Sequence, residues 1–199
     1  MQIKWLTLFA IVFAPAGATA GPLDVESENL KPGLVAEYHS LVEQDAIVYR
    51  IDAKPSFYLG RSSAHPRIPP GRFEVIWHGV IHIQDAVPIT LSAFVGGDVS
   101  VEIDGATVLI GRGETDSSEI IAKAPFQRES GNYRLTIRFR SLSSVPARLQ
   151  LMWQAKSFAR EPIPAWRFRH LAADVSADAQ QDQLAAAGRT LAGKFGCAR

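Results

Sequence analysis

Phe73-Glu74-Val75-Ile76-Trp77-His78-Gly79-Val80-Ile81-His82-Ile83 is the stretch that decides the fold. Phe73, Val75, Trp77, Ile81 and Ile83 fall on one face of a run with period two, which predicts a strand with that face in a core and the other toward water. The run is long enough to span a full sheet. The same period returns downstream. Ile89, Leu91, Ala93 and Val95 show it, then Val99, Val101 and Ile103. Tyr133, Leu135, Ile137 and Phe139 alternate with Arg134, Thr136, Arg138 and Arg140, and Leu149, Leu151 and Trp153 with Arg148, Gln150 and Gln154. Turn formers separate the runs: Pro69-Pro70-Gly71, Gly96-Gly97, Asp104-Gly105, Gly111-Arg112-Gly113 and Ser130-Gly131-Asn132. Asp104-Gly105 between two alternating runs is a hairpin signal. Many short strands at this spacing predict an all-β, antiparallel sandwich or barrel.

The flanks have a different character. Lys4, the apolar run from Trp5 to Phe13 and the small-x-small exit Ala18-Thr19-Ala20 have the tripartite form of a signal peptide, so residues 1–20 are expected to be removed and the mature chain to begin near Gly21. The apolar run is shorter than the roughly 20 residues a membrane-spanning helix needs, and no later stretch approaches one. An extracytoplasmic location, periplasmic or secreted, is the expectation. From about residue 172 the chain turns rich in Ala and Gln. Leu184, Gly188, Leu191 and Phe195 form a helical stripe, and Ser176 or Asp178 is placed to cap a helix over Asp178–Phe195. The expected division is a leader at 1–20, a β domain at 21–170, and a linker with a short α-helix at 171–199.

Composition excludes some functions. The mature chain carries 20 basic residues against 20 acidic ones, without the basic excess of nucleic-acid binders. The 47% hydrophobic fraction suffices for a core. The single cysteine, Cys197, cannot form an internal disulfide. No G-x-S-x-G, H-E-x-x-H, P-loop or helix-leading G-x-G-x-x-G motif occurs, and no carboxylate pair stands out, so no catalytic residue is assigned and the chain is read as a non-enzyme. His78 and His82 lie about 13 Å apart on one strand face, too far for one metal ion. Arg134, Arg138 and Arg140 line one strand face, with Arg148 nearby in sequence, a row that is either solvated or an anionic-ligand surface. Trp77 and Trp153 belong to the core pattern, and Trp166 is placed to pack the sandwich end. Phe57 and Tyr58 are the aromatic candidates for stacking on a sugar.

The order of landmarks from Gly33 to Phe168 resembles the protective-antigen (PA-14) domain family, a lectin-like β-sandwich. The matching pieces are Gly33-Leu34-Val35-Ala36-Glu37-Tyr38, the Phe73–Ile81 run, Gly97-Asp98-Val99-Ser100-Val101-Glu102-Ile103-Asp104-Gly105, Gly131-Asn132-Tyr133-Arg134-Leu135-Thr136-Ile137 and Leu149-Gln150-Leu151-Met152-Trp153, closed by Ile163-Pro164. The resemblance implies a non-catalytic module that recognises a glycan or polysaccharide through loops at one sandwich end, with Gly97, Asp98 and Asp104 as ligand-binding residues. In the adhesin branch two consecutive Asp residues hold a calcium ion that binds sugar hydroxyls. Here Gly96 and Gly97 stand in their place, and Asp98, just after them, is the carboxylate left for calcium. Asp104 also reads as the turn residue of its hairpin.

The tail carries a second resemblance. Gly188-Arg189-Thr190-Leu191-Ala192-Gly193-Lys194-Phe195-Gly196-Cys197-Ala198-Arg199 resembles the opening helix of a class I c-type cytochrome, which leads into C-x-x-C-H. It implies that the sequence is a piece of a longer exported haem protein. Cys197 would then attach covalent haem c where the motif continues, and the sandwich would be a structural or docking domain ahead of the cytochrome.

Overall fold

The computed structural model describes residues 21–43 and 45–194. The leader at 1–20, Phe195 of the helical stripe and Cys197 lie outside the described residues. Among the described residues twelve strands form: β1 (Leu30–Pro32), β2 (Leu34–Ser40), β3 (Ile47–Asp52), β4 (Ser56–Gly60), β5 (Phe73–Ile83), β6 (Ile89–Ile103), β7 (Ala106–Gly113), β8 (Glu119–Ile121), β9 (Gly131–Arg140), β10 (Ala147–Ala155), β11 (Phe158–Pro162) and β12 (Phe168–Leu171). One α-helix follows, α1 (Ala177–Lys194).

β5 is the spine of the larger sheet. One edge pairs with β9 from Glu74↔Arg140 to Ile83↔Gly131. The other edge pairs first with β2, then with β12. β3 extends the sheet beyond β2, and β1 extends it beyond β12. On the far side, β9 pairs with the second half of β6, and that half pairs with β7. The first half of β6 belongs to the smaller sheet, between β8 and β10, and β10 carries β4 and β11 on its outer edge. All these pairings are antiparallel, and the two sheets enclose one core, so the fold is an all-β antiparallel sandwich with a C-terminal helix.

β6 corrects the expectation of a turn at Gly96-Gly97. The chain runs through this point as one 15-residue strand and changes sheets there. The bend needs residues without side chains. A Cβ at Gly96 would lie 2.2 Å from the Pro146 carbonyl oxygen, and one at Gly97, where φ is +140°, 2.6 Å from the Arg140 carbonyl oxygen. A strand that switches sheets has to bend sharply at the corner, and glycine permits it. Gly111-Arg112-Gly113, also expected as a turn, lies inside β7.

Alternation accounts for the core. Phe73, Val75, Trp77, Ile81 and Ile83 are all buried, as are Tyr133, Leu135, Ile137 and Phe139 opposite them. Phe57 of β4 crosses from the smaller sheet and meets Phe139 edge-on at 5.0 Å and Trp77 stacked at 6.0 Å. One charge is buried among these rings. Asp52 accepts hydrogen bonds from the Tyr38 hydroxyl at 2.6 Å and the Trp77 indole at 2.8 Å, and pairs with Arg50. A buried carboxylate needs such partners, because an unpaired one costs several kcal/mol. Burial first, then the Asp52 charge, pushes the Tyr38 phenol far above its ordinary range, so it stays a neutral donor.

Ser176 caps α1: its hydroxyl accepts from the Ala179 amide at 3.1 Å. The helix docks through Ala179 and Asp182, whose carboxylate accepts the backbone N–H of Tyr49 on β3 at 2.9 Å and pairs with Arg67 at 2.6 Å. A helix covering an edge strand guards it against pairing with another chain. Leu184 and Leu191 point away from the sandwich, 74% and 54% exposed. Among the described residues no helix is long and apolar enough to cross a membrane.

Candidate functional site

The three residues suggested for ligand binding do not converge. Asp98 lies within β6 on the outer face of the larger sheet, where Arg112 of β7 grips both its oxygens, at 2.5 and 2.9 Å. Asp104 opens the two-residue turn between β6 and β7, with φ of +50° and Gly105 at +74°, the signature of a type I′ hairpin. Its Oδ1 accepts the Arg134 amide at 3.0 Å, its Oδ2 lies 4.0 Å from Arg128, and the side chain is 7% exposed. Along one strand Asp98 and Asp104 stand about 20 Å apart. Gly97 lies under the Arg140 carbonyl and the Phe139 ring.

The residues present do not fit a calcium ion. Calcium takes about six to eight oxygen ligands. Asp98 is committed to Arg112, and Arg138 and Arg140 line the same groove. That surrounding is cationic. Among the described residues no group of three or more His, Cys, Asp or Glu side chains is arranged to hold a metal.

A different set of side chains does converge, on the outer face of the smaller sheet. β4 and β10 pair with Tyr58 opposite Arg148, Phe57 opposite Leu149 and Ser56 opposite Gln150. Period two sends Phe57 and Leu149 into the core and leaves Tyr58, Arg148 and Gln150 outside. The next residue across from Arg148 is Gly96 of β6, which offers no side chain. The 114–118 segment fills that space: the Asp116 Cα lies 3.3 Å from where a Cβ at Gly96 would be. The segment is tied down by the Val95 amide donating to the Ser118 carbonyl at 2.9 Å and by Arg148 donating to the Asp116 carbonyl at 3.0 Å. Asp116 thus reaches Tyr58, whose hydroxyl donates to Oδ2 at 3.0 Å.

Together these residues line an open cleft of about 460 Å³, with Ser56 at its rim. The Tyr58 ring is 64% exposed. The hydrogen bond to Asp116, and then the Asp116 charge, raises the phenol above its ordinary range, so it is a hydrogen-bond donor. Arg148 lies 5.1 Å over the Phe94 ring, and Arg160 lies 4.8 Å over the same ring, so the Arg148 head is held by an aromatic neighbour. The cleft offers an aromatic platform, guanidinium and amide donors, and a carboxylate acceptor. Among the described residues Asp116 is its one carboxylate, whereas glycoside hydrolysis takes a pair.

The other sequence candidates separate. Phe57 is partly buried and packs against the core, and Tyr58 lies on the surface. Arg134, Arg138 and Arg140 stand on the larger sheet, whereas Arg148 belongs to the cleft on the smaller one. His82 engages Asn132 at 3.0 Å. Trp166 does not pack the sandwich end: it is 54% exposed, with the Arg167 guanidinium 3.9 Å over its ring. Asp116 escaped the sequence reading altogether. Its segment, Glu114-Thr115-Asp116-Ser117-Ser118, looks like any polar loop, and its partner Tyr58 is distant in the chain.

No protein-family model matches the chain, and no curated protein matches it. Solved structures do. An anti-sigma factor domain-containing protein superposes with a TM-score of 0.62 at 21% identity, over 70% of this chain and 48% of that one. The chain spans about half the length of the anti-sigma factor domain-containing structures it matches. The PA14 domain of the antifreeze protein MpAFP superposes with a TM-score of 0.53 at 15% identity, over 78% of this chain and 96% of that one. The epithelial adhesin 6 A domain of Candida glabrata, in complex with Galb1-3GlcNAc, gives 0.54 at 13% identity, over 77% and 94%. At these identities the likeness is one of fold, and the fold is the lectin-like β-sandwich of PA14 domains.

Proposed function

We propose that this chain is an exported, non-catalytic glycan-binding module that holds sugar in the cleft of Tyr58, Asp116, Arg148 and Gln150. The observation that carries the reading is the exposed Tyr58 ring set beside a carboxylate, a guanidinium and an amide. A pyranose has an apolar C–H face and a rim of hydroxyls. The ring matches the face, and the polar groups match the rim. The fold likeness to an adhesin domain in complex with Galb1-3GlcNAc supports the same reading. Export is supported by the tripartite leader of residues 1–20. The test is a broad array of neutral glycans probed with the mature chain from Gly21. Binding to at least one family, weakened about tenfold in Tyr58→Ala, is expected, in line with the energy of one aromatic contact. No binding anywhere on the array overturns the reading.

A second reading makes the sandwich a docking domain ahead of a c-type cytochrome. The exposed Leu184 and Leu191 of α1 and the position of Cys197 favour it. The gene beyond codon 199 tests it: Cys-His next is the expected outcome, and a stop codon removes the reading.

A further inference from the structure

The outer face of the larger sheet carries a charge pattern that the cleft does not use. Across four strands one row reads Glu74, Arg140, Asp98, Arg112, alternating in sign. Its charges are matched: Arg140 donates to Glu74 at 3.1 Å, and Arg112 holds Asp98 by two hydrogen bonds. The adjacent row reads Ile76, Arg138, Ser100, Ile110. Arg138 therefore has no acid beside it in its row, and among the described residues it forms no ion pair. It lies in a groove of about 440 Å³ with Ile110, itself 68% exposed, on the far side. The groove holds three guanidiniums and two carboxylates, and both carboxylates are engaged by arginines.

We propose that this groove is a second site, which takes the carboxylate of an acidic sugar on Arg138 and its C–H face on Ile110. A planar guanidinium matches a carboxylate with two parallel hydrogen bonds, and Arg keeps its charge at any physiological pH. A free anion alone would leave Ile110 unused. A hexuronate, with a carboxylate on its rim and an apolar C–H face, uses both. The inference rests on the reading of the module as a glycan binder, but on residues separate from the cleft.

The experiment titrates the mature chain with oligogalacturonate and with the same oligomer methyl-esterified, which removes each carboxylate charge and adds one methyl group in its place. Three proteins are compared: wild type, Arg138→Gln and Tyr58→Ala. Arg138 is exposed, so the glutamine variant should fold, and an unchanged thermal midpoint checks this. The expected result is binding of the acid form by wild type and Tyr58→Ala alike, and about tenfold weaker binding by Arg138→Gln, as loss of a charge-assisted pair implies. The ester should bind wild type weakly as well, and added salt should weaken the acid form. Three results overturn the inference: no binding of the acid form by wild type, equal binding of acid and ester, or equal binding by Arg138→Gln. Acid binding lost in Tyr58→Ala but kept in Arg138→Gln would place the sugar in the cleft instead. Failure on the neutral array with success here would remove the cleft reading and leave this site standing.

Discussion

Gly96 and Gly97 show how much one residue type can decide. Gly97 has its backbone at a φ of +140°, a Cβ's width from the Arg140 carbonyl and the Phe139 ring. Alanine there meets both the steric overlap and an unfavourable backbone angle, so Gly97→Ala should destabilise the fold by about 2 kcal/mol or more. A urea-unfolding midpoint reads this directly, and a midpoint unmoved within error would contradict the corner as described. Gly96 has a second consequence, because its missing side chain is the space into which Asp116 fits. In the sequence the pair reads as a turn and stands where the adhesin branch carries its calcium-binding Asp pair. Neither is visible as a sheet corner without knowing that Val95 and Val99 belong to different sheets. Asp104 was legible, because an Asp-Gly turn has a local cause: both residues accept positive φ.

At the scale of elements, alternation made the strands readable. β5, β9 and β10 each bury the residues their period-two pattern selects. The helix was readable from its composition and its Ser176 cap, but its docking was not. The Leu184–Leu191 stripe marks the helix but stays exposed, and α1 meets β3 through Asp182. Burial pulls the Asp182 carboxyl upward, but the Tyr49 N–H and the Arg67 guanidinium outweigh it and hold it below the ordinary carboxylate range. A depressed folded-state pKa adds stability at pH values above the unfolded pKa of about 3.9, and that stability is lost as pH falls through the folded value. Arg67 is half exposed and the pair is solvent-screened, so the latch is worth about 1 kcal/mol or less. Hydrogen exchange at the Tyr49 amide should therefore quicken in Asp182→Asn at pH 7, with pH effects on intrinsic exchange divided out. Wild-type protection should approach that of the variant as the solution is acidified below pH 4. Equal protection in both proteins at pH 7 would contradict the latch.

At the scale of the whole molecule, the sandwich acts as a frame that brings distant residues to one surface. Tyr58, Asp116 and Arg148 come from β4, the segment between β7 and β8, and β10, and they meet only because β6 bends between sheets. Strand alternation marked Arg148 and Gln150 as outward, and Tyr58 was singled out as an aromatic. Asp116 carried no local signal, since long-range topology alone selects it from the other loop acids. The loop residues that the family resemblance suggested, Asp98 and Asp104, have structural partners instead. The fold was thus readable from local periodicity, whereas the cleft required the pairing of the strands.

The most direct test maps ligand contact rather than affinity alone. Backbone and side-chain amide shifts of the mature chain should be followed by NMR while a glycan that binds on the array is added. The account predicts that the largest shifts fall on Tyr58, Asp116, Arg148 and Gln150 and need about tenfold more glycan to develop in Tyr58→Ala. Shifts centred on the Asp98–Asp104 stretch, with those four residues unmoved, would contradict it.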